Sequence, residues 1–147
     1  MIRPGSPDDA PRAFAIWRAA VEATHGFLSA EHKAEIAGQV EAMLPAVPLW
    51  IAEDADGIAQ GFMVFAEGMI EALFVDPAVH GRGFGSALVG HALALDPQAR
   101  VDANEQADNA LPFYESRGFL RIGRSEHDAD GRPYPIIHLR HPGKTSA

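Results

Sequence analysis

The chain has 147 residues, 47% of them hydrophobic and 22% charged, a composition that fits one globular domain. Its formal net charge of −8 argues against nucleic acid as a partner, because binding a phosphate backbone needs a positive field. The absence of cysteine excludes disulfides, a cysteine nucleophile and a thiolate metal site together.

Residues 1–4 read as a first strand ended by Pro4, and Ser6 as the cap of a helix with Asp8 and Asp9 in its first turn. Phe14, Trp17 and Val21 recur at helical spacing, and Gly26 breaks that helix. Ser29 caps a second helix that carries Ile36, Val40 and Met43 on one face and ends at Pro45 and Pro48. The period then becomes that of strands. Residues 49–53 and 61–65 flank a turn cluster at 54–57, which predicts an antiparallel hairpin. A reversal at Glu67 and Gly68 leads to 69–77, whose nearly unbroken apolar run predicts a central strand covered on both faces. A glycine-rich loop follows, then a helix over 83–94 with Phe84, Leu88, Ala92 and Leu95 as its buried stripe. Next come a strand over 100–104, a helix over 108–117 ended by Gly118, and a hairpin of 119–122 with 136–139 around Asp130 and Gly131. The order mixes hairpins with helical crossovers. It predicts an α/β fold (an α+β mixed sheet) with helices on both faces, in one domain over 1–142 before a frayed tail at 143–147. The apolar runs are strand-sized and residues 1–5 lack the apolar segment of a secretory signal. The expectation is therefore a cytoplasmic protein with no membrane partner.

The most informative segment is 75–88, where an apolar strand feeds Gly81-Arg82-Gly83-Phe84-Gly85-Ser86 and a helix begins. Alternate glycines let successive backbone N–H groups approach a ligand at the positive end of a helix dipole, which suits a pyrophosphate. Read from these residues alone, a plain tight turn is the bland alternative. A nucleoside-triphosphate loop would need Gly-Lys-Ser/Thr, and a dinucleotide fingerprint would follow the first strand of a βαβ unit; neither pattern is present.

The segment resembles the acetyl-CoA signature of the GNAT superfamily, Gln/Arg-x-x-Gly-x-Gly/Ala, with Gly83 and Gly85 matching and His80 where glutamine or arginine is usual. Downstream, Ala110-Leu111-Pro112-Phe113-Tyr114-Glu115-Ser116-Arg117-Gly118-Phe119 is similar to that family's A-x-x-F-Y-x-x-x-G-F. The asparagine that commonly lies seven residues before the tyrosine is Ala107 here, which leaves Asn104 or Asn109 to replace it. Blocks at 23–30, 48–50, 104–106 and 123–126 are similar to a small bacterial subgroup of the superfamily.

The resemblance implies a mostly antiparallel sheet of about seven strands, splayed between strands four and five, with acetyl-CoA as co-substrate. Backbone groups of Leu73, Phe74 and Val75 would pair with pantetheine, and residues 81–86 would hold the pyrophosphate, with Arg82 adding charge. Phe113 and Tyr114 would complete the acetyl-CoA site. Tyr114 matches the family's proton donor to the departing sulfur, and the alternative for it is a core tyrosine.

Freeing a lysine-like amine of its proton near neutral pH costs about 4.6 kcal/mol, so a base or water relay is needed. Glu71 is the only charge in its apolar strand, and burial there would raise its pKa; a carboxylate facing water is the alternative. His25 is a second candidate base, and Glu105 a further relay. Phe27, Trp50 and Met63 are candidate walls of the acceptor pocket, beside His25. The histidines show no metal spacing, and no metal is expected. The reading is an N-acetyltransferase acting on a small-molecule or protein amine, monomeric or homodimeric. An acyl-CoA-binding sensor without turnover is the alternative.

Overall fold

The computed structural model describes residues 1–107 and 110–143. Seven strands form one sheet: β1 (Ile2–Pro4), β2 (Leu49–Glu53), β3 (Ala59–Ala66), β4 (Met69–Val75), β5 (Arg100–Asn104), β6 (Leu120–Ser125) and β7 (Ile136–Arg140). Their spatial order is β1-β2-β3-β4-β5-β7-β6, and every neighbouring pair is antiparallel except β4 with β5. The helices are α1 (Ala10–Thr24), α2 (Ala30–Met43), α3 (Phe84–Leu95) and α4 (Ala110–Ser116). Chain order and sheet type therefore agree with the expectation from sequence.

Local chemistry explains the helix starts. The Asp9 carboxylate accepts the Ser6 amide at 2.9 Å and two bonds from the Arg3 guanidinium, at 2.8 and 3.0 Å, which fixes the turn before α1. Ser29 Oγ accepts the His32 amide at 3.1 Å and caps α2. The start expected for the fourth helix, at 108 and 109, lies outside the described residues, as do 144–147 of the expected tail. Gly143, placed in that tail by sequence, is instead buried beside Gln98.

The sheet separates two apolar clusters. On one face Leu88, Val89 and Ala92 of α3 pack with Met63, Ile70, Val101, Tyr114, Phe119 and Leu139. On the other, Ala13, Ile16, Trp17 and Val21 of α1 pack with Phe62 and Val64. Each fully buried side chain of this size contributes about 1.5–3 kcal/mol, so the faces lock α1 and α3 firmly to β3 and β4. Two sequence readings change. Leu95, expected in the α3 stripe, is exposed in the helix's last turn, and Val89 is buried instead. α2 contributes no fully buried residue; its Ile36, Val40 and Met43 border a cavity.

Candidate active site

The central feature is a split in the sheet. β4 pairs with β5 only at Met69 with Arg100 and Ile70 with Val101, while β3 follows β4 along its whole length. Beyond Ile70 the two parallel strands diverge, which leaves 71–75 with one sheet edge not paired to β5. The register of β4 also slips: Phe65 lies opposite Ile70 and Val64 opposite Ala72, so Glu71 is an extra, bulged residue. The bulge puts Glu71 and Ala72 on the same side, and both line one cavity.

At the wide end of the split, Val75 runs into the glycine loop. Gly81 and Gly83 have φ of +83° and +88°, a region costly for other residues, and Gly83 is the N-cap of α3. A Cβ at either position would meet no protein atom within 4 Å, so backbone conformation and not packing calls for glycine there. Gly85 differs. A Cβ there would lie 3.2 Å from the Phe113 ring, so a glycine lets α4 pack against the start of α3. The first amides of α3 and the exposed loop residues Arg82 and Gly83 thus face outward at the positive end of the helix, a donor set suited to phosphate oxygens. Phe84 and Ser86 are half-buried in the helix's first turn.

Tyr114 follows Phe113 on α4, packs edge-on against Phe113 and Phe119, and is 6% exposed. Burial pushes its phenol well above the ordinary value near 10. The hydroxyl therefore keeps its proton across the physiological range.

A cavity of about 460 Å³ opens on the α1 face of the sheet, where Trp17 and Val21 of α1 and Ile36 and Val40 of α2 meet Phe74 of β4. His25, Glu71 and Asn104 also line it. His25 caps the C-terminus of α1, its amide donating to Val21 O at 2.8 Å. Burial lowers its pKa below the ordinary 6.5. Glu71 is exposed, contrary to the burial expected of a charge in that strand, because the bulge turns it out of the sheet's packed layers.

The remaining wall is the connector between β6 and β7, which sequence reasoning treated only as a turn. Arg132 is 6% exposed and pairs with Glu35 of α2, with Asp128 at 3.1 Å and with Asp130 at 3.0 Å. It also donates to Gln39 at 3.2 Å. Burial works to raise the Asp128 pKa, but bonds from the Arg132 backbone and guanidinium outweigh it and hold the carboxyl below its ordinary value. Tyr134 adds a second tie to α2, its hydroxyl lying 2.5 Å from His32 Nδ1 and 3.2 Å from the Ser29 amide. The Pro133-Tyr134-Pro135 run was the available signal, since it stiffens the segment that carries the tyrosine.

Some expected site residues lie elsewhere. Met63 is fully buried on the α3 face, and Trp50 packs against His91 of α3 with ring centres 4.1 Å apart. Neither walls the cavity, because alternation along β2 and β3 turns both away from it. Phe27 sits between two lining residues, its ring 5.2 Å from His25 and 5.6 Å from Tyr134. Glu105 is held by both nitrogens of an Arg124 fork, at 2.9 and 3.0 Å, which lowers its pKa. Leu73 and Phe74 flank the split on opposite faces of β4. Asn109 lies outside the described residues. Among the described residues no metal-binding group of His, Asp or Glu is gathered, and no helix is long and apolar enough to cross a membrane.

A mixed sheet split between its parallel strands, with a glycine-capped helix at the wide end and a lined cavity on one face, is the architecture of an N-acetyltransferase. The chain belongs to the GNAT family: the model described as "Acetyltransferase (GNAT) domain" matches residues 45–121. It is similar to the peptidyl-lysine N-acetyltransferase YjaB of Escherichia coli (strain K12), with 42% identity over 142 residues and 97% of each chain covered. A second relative from that organism, peptidyl-lysine N-acetyltransferase YiaC, is 28% identical over 139 residues, covering 93% of this chain and 94% of its own. Among solved structures, the solution structure of apo-form YjaB from Escherichia coli superposes with a TM-score of 0.92 at 41% identity, covering 98% of each chain.

Proposed function

We propose that this chain transfers the acetyl group of acetyl-CoA to a lysine side chain of a protein or peptide, in the cytoplasm. The observation that carries the reading is the split between β4 and β5, whose edges at Glu71, Ala72, Phe74 and Asn104 line the cavity on the α1 face and whose β4 side runs on towards the glycine loop. The lysyl acceptor is supported by the names of the relatives, and by a cavity with an apolar lining for a long stem and carboxylates for a charged end.

Residues 81–86 would hold the pyrophosphate through backbone amides, with Arg82 beside them, and the free edge of 73–75 would pair with the pantetheine amides as an added strand. Phe113 would hold α4 against the loop, and Asn104, at the rim of the split, would offer an amide side chain. Acetyl-CoA supplies an activated thioester. Glu71 draws the lysine ammonium into the cavity, and His25, kept neutral by burial, takes its proton. The freed amine attacks the thioester carbonyl, a C–N bond forms as the C–S bond breaks, and the Tyr114 hydroxyl protonates the departing sulfur. No covalent enzyme intermediate is needed.

The test is calorimetric titration of acetyl-CoA into the native protein and a Gly83→Trp/Gly85→Trp variant, followed by thiol release with a lysine-containing peptide. Binding in the micromolar range that the variant loses, and peptide-dependent release that Tyr114→Phe slows, would support the reading. No binding by the folded native protein would sink it. Binding without turnover on any amine would leave a sensor module.

A further inference from the structure

The end of α1 holds a short hydrogen-bonded chain whose direction can be worked out from its atoms. Thr24 Oγ1 lies 2.8 Å from the Ala20 carbonyl oxygen, which can only accept, so the single hydroxyl proton of Thr24 is donated there. The same Oγ1 lies 2.6 Å from His25 Nδ1. With its proton committed, Thr24 offers that nitrogen only a lone pair. Two lone pairs at that distance repel, so Nδ1 must carry hydrogen. Burial disfavours the doubly protonated ring, so the proton on Nδ1 leaves Nε2 bare. The ring is also held from outside, since its centre lies 5.2 Å from the Phe27 ring, and the residue lines the cavity.

We infer that Thr24 is a positioning residue that fixes His25 as the Nδ1–H tautomer and presents Nε2 to the acceptor amine as the proton acceptor. That Nδ1 carries hydrogen follows from the hydrogen bonds; the use of Nε2 in turnover rests on the proposed role of His25. Thr24 itself touches neither substrate. A serine would keep the chain of bonds, whereas a valine would keep the shape and delete the acceptor.

The experiment separates these two layers. Long-range proton–nitrogen correlation spectra of the free protein, labelled with ¹⁵N-histidine, report the tautomer of each ring, and His25→Asn identifies the His25 signal. The native protein should show His25 as Nδ1–H, Thr24→Val should shift it towards Nε2–H, and Thr24→Ser should restore it. With a lysine peptide and acetyl-CoA, Thr24→Val should lower kcat roughly tenfold with the acetyl-CoA KM unchanged, and Thr24→Ser should recover the rate. A native His25 found as Nε2–H, or a Thr24→Val protein that keeps Nδ1–H, overturns the inference whatever the activity. If the tautomer responds as stated but His25→Asn turns over at the native rate, Thr24 still sets the tautomer and the base assignment falls.

Discussion

Ile70 of β4 lies opposite Val101 of β5, and that apolar pair is the last contact between the two strands before they part. Both are buried, at 1% and 2% exposure, so the vertex of the split is a packed hinge of hydrocarbon between the two halves of the sheet. Ile70→Ala should therefore cost about 2–5 kcal/mol, as for other large-to-small core changes. Urea denaturation measures it. The same variant should bind acetyl-CoA more weakly than its stability loss alone explains, because the width of the split is set at this point.

Tyr114→Phe removes a hydroxyl with no hydrogen-bond partner among the described residues. The variant should keep its fold to within about 1 kcal/mol while thiol release falls by about 10²-fold. A pH signature accompanies it. Burial raises the phenol pKa in the folded state, so the folded protein holds this proton where the unfolded chain, titrating near 10, has lost it. The stabilisation is complete below the unfolded value and fades as pH rises above it. Native protein should lose stability above about pH 10 more steeply than Tyr114→Phe does, in denaturation curves collected from neutral to alkaline pH.

His25 titrates in the opposite sense. Its pKa is depressed by burial, so the unfolded chain takes up a proton near the ordinary 6.5 while the folded one does not. Its contribution to stability is present above that value and is lost as pH falls towards the folded pKa. The groups facing it across the cavity are Glu71 on β4, with Asp128, Asp130, Arg132 and Tyr134 on the connector. The carboxylates favour the imidazolium, and burial outweighs them. His25→Asn should flatten the acid limb of the stability profile. The native rate should persist somewhat below the pH at which an exposed histidine would be protonated.

Arg132→Met tests the connector. The methionine fills similar space but abandons Asp128, Asp130 and Glu35, of which only Asp128 is well shielded from water. A loss of about 1–3 kcal/mol is expected, below that for a fully buried pair, because two of the three partners are solvated. Amide hydrogen exchange should speed up across 126–135 and leave the glycine loop at 81–86 unchanged. Exchange that rises equally at both places would show that the connector has no separate stability.

Much of the glycine-loop side of the candidate site was legible in the sequence because short-range chemistry specifies it. Gly81 and Gly83 are needed by their own backbone angles, and Phe113 and Tyr114 share a helix whose spacing is local. The cavity side was harder to read. Trp50 and Met63 looked like pocket walls by residue type, but a strand shows each side chain to one face only, and no local pattern says which face carries the cavity. Glu71 was noticed as a charge in an apolar run. Its exposure depends on a one-residue slip against β3, a property of the pairing and not of β4 itself. Arg132 and Tyr134 escaped because their partners on α2 are about a hundred positions earlier in the chain, at Glu35 and His32.

The position of β7 has a consequence for how the molecule is made. It is the last strand in chain order, yet it lies between β5 and β6, with both of which it pairs. During synthesis β6 leaves the ribosome with no neighbour to hold it, and β5 has only its two-residue contact with β4. Sheet completion must wait for residues 136–140, and the connector just before them emerges almost at the same moment. The cavity on the α1 face is therefore closed late in translation, and a nascent chain stalled before residue 132 would carry the glycine loop without the wall that Arg132 and Tyr134 supply.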